Sequence, residues 1–311
     1  MARYVFMGSP EIAVPSLQAL QAAGHEGLAV VTQPDKPKGR GQVLSPPAVK
    51  VAAETLGLKV LQPQSLKANA EFAEELRGFK PELILVVAYG KILPAEILGI
   101  PEICCVNLHF SLLPKYRGAS CVAYPLIEGR EESGVTTIVM DEGLDTGPIL
   151  LQWSEPILPA DTAGTLSARL AELGAQALVQ TVAGLERGNI HPTPQNEAEA
   201  SFAPLLRKEE GRVDWTRPAP EIYNRYRGLS PWPGAFTFLD GKRIVLSELA
   251  LYPEAAAAKQ PGTLETGPEG RILVATGQGN LELRRLKPEG KSVLSAADFM
   301  RGWTGKDPVF S

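Results

Sequence analysis

The run Glu82-Leu83-Ile84-Leu85-Val86-Val87 is strongly apolar and reads as a strand. A short, branched, apolar run of this kind is a strand covered on both faces, so it belongs in the middle of a parallel sheet between helical layers. The N-terminus agrees. Arg3–Gly8 reads as a strand, and a helix to about Ala23 follows, with Ser9 as its N-cap, Pro10 at its first position and Glu11 suited to its dipole. Gly24 ends that helix and Leu28–Thr32 is the next strand. This is a βαβ opening, which predicts a Rossmann-like parallel sheet with right-handed crossovers. The turn Gly8-Ser9-Pro10-Glu11-Ile12-Ala13 lacks the second and third glycines of the dinucleotide fingerprint, so a dehydrogenase is not supported.

Further along, residues 33–47 form a loop much longer than the usual ~2–6 residues of such connections. It carries Lys36, Lys38 and Arg40 among Pro and Gly. Clustering by sign favours an arm that grips phosphates over a solvated excursion. Helices are expected over Ala48–Leu56 and, with Ser65 as cap, to about Arg77. The turn Ala88-Tyr89-Gly90-Lys91-Ile92-Leu93-Pro94 lies over the carboxyl end of the central strand, where open α/β sheets place their binding crevice. Apolar Ile92 and Leu93 there suit either a flat aromatic ligand or the core.

The next strand, Ile103-Cys104-Cys105-Val106, runs into Asn107-Leu108-His109-Phe110-Ser111-Leu112-Leu113-Pro114-Lys115-Tyr116-Arg117-Gly118, where Pro114 and Gly118 stop regular structure. Side chains alternate along a strand, so Asn107 and His109 share one face with Leu108 opposite. An amide donor can stabilise an oxyanion and an imidazole can move a proton near neutral pH; a merely hydrogen-bonded strand end is the competing reading. After a helix near Ser120–Glu128 and the strand 134–140 comes Asp141-Glu142-Gly143-Leu144-Asp145-Thr146-Gly147-Pro148, whose spacing fits no EF-hand. Its Asp145 is the carboxylate that would charge-stabilise His109 if the two meet.

A strand over 149–154 and a long helix from Ala163 to about Arg187 complete a first domain, residues 1–188. Residues 189–204 are polar and proline-bearing and read as a linker. From 205 to 311 the texture changes. A helix near Pro220–Arg227 precedes short strands near 236–239, 243–251, 271–275 and 280–286, then a helix near 295–302. That pattern suggests a small barrel of the oligonucleotide-binding type, with Trp215, Trp232 and Trp303 as core residues or stacking platforms. Residues 205–311 hold 16 basic and 13 acidic side chains, net +3, on a chain of net −4. The excess points weakly to a nucleic-acid partner.

Three histidines at no ligand spacing argue against a zinc site. The cysteines, Cys104, Cys105 and Cys121, read as buried thiols of a reducing compartment, and the start reads as no signal peptide, so a cytoplasmic location is expected. No apolar run approaches the roughly 20 residues of a membrane span.

Taken together, several stretches resemble the methionyl-tRNA formyltransferase branch of the folate-dependent formyltransferase family. They are Met7–Leu17, Thr32–Leu44, Val86–Pro94, Asn107–Gly118, Met140–Gly147 and Gly228–Ala235. The Asn-x-His plus Ser-Leu-Leu-Pro-x-x-Arg-Gly signature is shared with glycinamide ribonucleotide and amino-sugar formyltransferases, so it does not name the acceptor. The Gln33–Gly41 loop, the basic C-terminal domain and Ser230-Pro231-Trp232-Pro233-Gly234-Ala235 lean toward tRNA. The resemblance implies an α/β, Rossmann-like formyltransferase domain followed by an OB-type β-barrel domain. It implies 10-formyltetrahydrofolate as donor, initiator methionyl-tRNA as acceptor, and a monomer without metal. It implies catalytic roles for Asn107, His109 and Asp145. The donor would sit against Ala88, Tyr89, Ile92, Leu93, Val139, Asp141, Glu142, Gly143 and the wall Ser111, Leu112, Leu113, Pro114, and tRNA against Lys36, Lys38 and Arg40. An amino-sugar or other small-amine formyltransferase is the alternative. One departure from the family pattern follows Arg117-Gly118: Ala119-Ser120-Cys121-Val122-Ala123-Tyr124 stands where small residues, Pro and Gln are common.

Overall fold

The apolar run is the centre of a seven-stranded sheet in this computed structural model, which describes residues 1–38, 43–253, 259–304 and 308–311. The strands of the first part are β1 (Arg3–Gly8), β2 (Glu26–Val31), β3 (Lys36–Lys38), β4 (Val43–Ser45), β5 (Val60–Leu61), β6 (Leu83–Val87), β7 (Cys104–His109), β8 (Glu132–Val139) and β9 (Ile149–Pro156). Their order in the sheet is β5-β2-β1-β6-β7-β8-β9, with β3 and β4 forming a separate hairpin. Every residue of β6 is buried. It pairs in parallel with β1 and β7, in registers that bring Gly8 beside Val87 and Val87 beside Leu108. The strand order reverses between β1 and β6, so the crevice of such a sheet opens at these carboxyl ends.

The sheet is not parallel throughout. β8 runs antiparallel to β7 and β9 antiparallel to β8. β8 and β9 are joined by the short Met140–Pro148 connection, and a short connection allows only antiparallel pairing.

Some local expectations move. Ser9 caps no helix; its hydroxyl accepts from the Gln33 amide at 3.0 Å, and a 3-10 turn Glu11–Ala13 leads into the helix Val14–Ala22. Asn69, not Ser65, caps the helix Ala70–Gly78, through its Oδ1 to the Phe72 amide at 3.1 Å. The 33–47 loop contains the β3–β4 hairpin, whose base is fixed where Asp35 accepts from Lys50 at 2.9 Å and from Gln62 at 2.8 Å. Arg40 lies outside the described residues, as does the side chain of Lys38.

By its contacts the chain forms two units. The first comprises Met1–Cys121, Glu132–Pro156 and Leu166–Pro204; the second comprises Val122–Glu131, Ile157–Thr165 and Leu205–Ser311. Residues 189–204, expected as a linker, therefore pack in the first unit. Thr193 exchanges backbone hydrogen bonds with Ile149 at 2.7 and 2.8 Å, and Ala203 does so with Arg117 and Ser120. A proline-bearing segment of low helical pattern reads as free-running in sequence, but its backbone groups are satisfied along a strand end and a loop.

The second unit holds β10 (Phe236–Leu239), β11 (Lys242–Tyr252), β12 (Leu264–Thr266), β13 (Ile272–Ala275), β14 (Asn280–Pro288) and β15 (Leu294–Ser295). They form an antiparallel sheet in the order β10-β11-β14-β13-β12, with β15 on β14. Its edges are bridged by the C-terminus: Ser311 exchanges two hydrogen bonds with Phe238 of β10, while Phe310 donates to Gly262 and Leu264 of β12 donates to Pro308. The helices Ala219–Leu229 and Ala296–Arg301 supply Ile222, Tyr226 and Ala296 to its core. Trp215 is core, stacked on Phe310 with centroids 5.5 Å apart, and Trp303 packs against the same cluster, whereas Trp232 is exposed.

Candidate active site

β7 delivers Asn107 and His109 to one face at its carboxyl end, and the opposite face is covered by the helix Ala163–Glu186. Gly174 of that helix lies so close that a methyl group there would sit 2.8 Å from Leu108 Cδ2. Leu108 therefore packs away from the site, as strand alternation requires.

Asp145 meets both polar residues. Its Oδ2 lies 3.7 Å from His109 Nδ1 and accepts from the Gly118 amide at 2.8 Å; its Oδ1 accepts from Asn107 Nδ2 at 3.4 Å. His109 Nε2 is 3.0 Å from the Tyr116 carbonyl, and His109 is 6% exposed. Three backbone positions in left-handed geometry build this corner: Tyr116 at φ 63°, Gly118 at φ 118° and Asp145 at φ 55°. Only Gly118 adopts it freely, and a side chain there would also meet the Ala203 carbonyl at 2.7 Å. The strained non-glycine positions are where the fold holds the site's polar groups.

Burial pulls the His109 pKa down, but hydrogen-bond and charge coupling to Cys121, the Asp145 carboxylate and the Tyr116 carbonyl outweigh it, and the value is pushed up to about 9. These contacts favour the charged form of the imidazole against the burial that opposes it. The contribution of His109 to folding is fully present below its ordinary 6.5 and is lost as pH rises through about 9. Replacing Cys121 by serine removes the largest of the raising contacts. The His109 titration midpoint in C121S, followed by two-dimensional ¹H–¹⁵N NMR, is expected well below that of the wild type; an unchanged midpoint would show that Cys121 does not raise it.

The wall after β7 is buried and pinned. Ser111 Oγ donates to the Lys115 carbonyl at 2.7 Å, Thr136 Oγ1 donates to the Ser111 carbonyl at 2.6 Å, and Gln152 Nε2 donates to the Leu113 carbonyl at 2.8 Å. Ser111 and Leu113 are thus spent on holding the loop, while Leu112 and Pro114 are half-buried. The other expected donor contacts divide in the same way. The side chains of Tyr89 and Leu93 are in the core, whereas Ile92 is 84% exposed. Ala88 has a φ of 48°, and the Tyr89 carbonyl accepts from Gln33 at 2.8 Å. Val139 is half-buried; Asp141, Glu142 and Gly143 are exposed, and Asp141 braces its own loop through the Gly143 amide and Thr146. Leu144 is 56% exposed beside Asp145. So the polar trio assembles, two large apolar side chains stand open on the loops that follow these strands, and the side chains of Tyr89, Leu93, Ser111 and Leu113 are buried.

The family described as formyl transferase matches residues 2–182, and its C-terminal domain matches residues 205–304. A methionyl-tRNA formyltransferase of Pelotomaculum thermopropionicum is 47% identical over 300 residues, 96% of this chain and 95% of that one. The chain belongs to the methionyl-tRNA formyltransferase family. A second member, from Acidobacterium capsulatum, is 49% identical over 97% of both chains. An N-formyltransferase from Helicobacter canadensis, solved with folinic acid and dTDP-3-aminofucose, shares the fold with a TM-score of 0.66 and 20% identity over 91% of this chain and 99% of that one. At that identity the likeness speaks for the fold alone. Membership makes this chain a folate-dependent formyl-transfer enzyme.

Sequence reasoning missed Cys121 and Gln195. Cys121 stood in the stretch that departs from the family pattern, the one signal available. Gln195, between Pro194 and Asn196, carried none; its amide reaches Asp145 only through the fold. Among the described residues no group of three or more His, Cys, Asp or Glu is placed to hold a metal ion, and no helix is long and apolar enough to cross a membrane. A cavity of about 620 Å³ in the second unit is lined by Arg212, Arg217 and Arg225 and by Glu128, Asp214 and Glu221.

Proposed function

We propose that Asn107, His109 and Asp145 carry the transfer of a formyl group from 10-formyltetrahydrofolate to the α-amine of methionine on initiator tRNA. The observation that carries this reading is the meeting of Asp145 with both Asn107 and His109 at one strand end. The donor supplies a carbonyl carbon; the amine adds to it, its oxygen becomes an oxyanion, and the bond to the folate nitrogen breaks as that nitrogen gains the proton the amine loses. Asn107 Nδ2 donates to the oxyanion. His109 Nε2 faces the Tyr116 carbonyl and Nδ1 faces the Asp145 carboxylate, so the ring is held between the two. As an imidazolium His109 would donate to the oxyanion, and as a neutral imidazole it would take the amine's proton. Asp145 favours the cation and can pass the amine's proton on through water. No nucleophilic side chain is needed: burial pushes the Cys105 thiol up to about 12 and Cys104 up to about 11.

Ile92 and Leu144 would cover the flat ring system of the donor, with the backbone at Ala88–Tyr89 and Asp141–Gly143 reading its polar edge. Their exposure supports this, since large apolar side chains left open beside polar groups are what such a ligand buries. Lys36, Lys38 and Arg40 would hold acceptor-stem phosphates, and the basic 205–311 domain the tRNA backbone, with 1–188 as the transfer domain. The enzyme would act as a monomer in the cytoplasm.

Acceptor profiling tests the reading. With 10-formyltetrahydrofolate as donor, charged initiator tRNA should be formylated far faster than charged elongator tRNA or free amino sugars, and its affinity should fall steeply as salt rises. Equal rates with a small amine would instead favour the amino-sugar alternative.

A further inference from the structure

We infer that Gln195 is a positioning residue for Asp145, holding the carboxylate's loop from a segment that carries no other part of the site. The inference rests on the reading of Asp145 as partner of His109. Gln195 Nε2 donates to the Asp145 carbonyl at 2.8 Å and to the Gly147 carbonyl at 2.7 Å. Its Oε1 accepts from Arg117 Nε at 3.2 Å and Nη2 at 2.8 Å. Both donors and both acceptor sites of the amide are thus in use, which a side chain resting on the surface does not achieve.

The two carbonyls flank the turn in which Asp145 takes its left-handed backbone, and a side chain at Gly147 would sit 1.7 Å from the Val139 carbonyl, so the turn is tight against β8. Arg117 is 2% exposed and sends its remaining donors to Glu197 at 2.7 and 2.9 Å. Its neighbours in sequence hold the site by their backbones, Tyr116 through its carbonyl to His109 and Gly118 through its amide to Asp145. The contacts close a ring: Asp145 to Gly118, along the chain to Arg117, across to Gln195 and back to Asp145. Loosening Gln195 frees a strained backbone whose carboxylate is otherwise held by the Gly118 amide at 2.8 Å, and the Asp145–His109 and Asp145–Asn107 distances then open.

The discriminating variant is Gln195→Glu. It keeps, and strengthens, the acceptor for Arg117 and removes both donors to the Asp145 loop. Single-turnover formylation of charged initiator tRNA at saturating donor should slow about tenfold or more with the tRNA Kd within about twofold, because geometry and not substrate binding is lost. The Asp145→Asn/Gln195→Glu double variant should be no slower than Asp145→Asn alone, since both changes act on one interaction. Wild-type rates in Gln195→Glu beside an impaired Asp145→Asn would overturn the positioning role alone, as would losses that multiply. Wild-type rates in Asp145→Asn would overturn the underlying reading of the site. Should Gln195→Glu yield no folded protein, Gln195→Met, of similar length and without polar atoms, is read by the same criteria.

Discussion

His109→Ala is expected to slow single-turnover formyl transfer by roughly 100- to 10,000-fold, the span of a positioned proton-bearing group. The side chain is buried, its Nε2 faces the Tyr116 carbonyl, and Asp145 stands 3.7 Å from its Nδ1. The pH profile separates its two possible roles. A raised pKa of about 9 favours the imidazolium over the neutral range. If His109 stabilises the oxyanion as a cation, kcat/KM falls about tenfold per pH unit above that value, while the acid limb follows the amine, whose unperturbed pKa is about 8. A base would give the opposite sign, with the rate still climbing toward pH 9. In His109→Ala the alkaline limb should vanish; an alkaline limb that survives would assign it to another group.

The next largest effect is expected at Asn107. Asn107→Ala should cost roughly 100- to 1,000-fold in the same assay, the usual loss for one oxyanion donor. Its contact with Asp145 is long, 3.4 Å, so little ground-state bonding is given up and the loss should appear in the rate and not in donor affinity. Asn107→Asp keeps the shape, removes the donor and places a second negative charge against Asp145. It should be at least as slow as Asn107→Ala and should raise the His109 midpoint further. A loss confined to KM in either variant would move Asn107 from the transition state to substrate binding.

Much of the fold was legible because it depends on local pattern. The apolar Leu83–Val87 run could only be a central strand, and Gly, Pro and cap signals marked most element ends to within a few residues. Sequence erred where a polar side chain had a distant use: Ser9 looks like a cap but serves Gln33, and Ser65 yields its cap to Asn69. The antiparallel β8 and β9 were unread because pairing direction is a property of the connection, not of the strand. Tyr89 and Leu93 illustrate the same limit at the site, since an apolar residue in a crevice turn has the same composition whether it faces a ligand or the core.

The reaction family was legible in the residues alone, and so was the shared face of Asn107 and His109 in the proposed trio. Asn107 and His109 share a face because strand periodicity is a local rule, and it needs nothing but their spacing of two. Whether Asp145 joins them depended on the tertiary structure. That residue lies across a loop, a strand and a turn, and it arrives only because β8 pairs beside β7 and because Gly118 and Gln195 hold the turn that carries it. The charge state of His109 was decided in the same place, by Cys121, Asp145 and Tyr116 gathered around a buried ring. Sequence fixes side-chain chemistry and local direction; distance and desolvation, which set a pKa and a proton's path, exist only once remote segments are packed together.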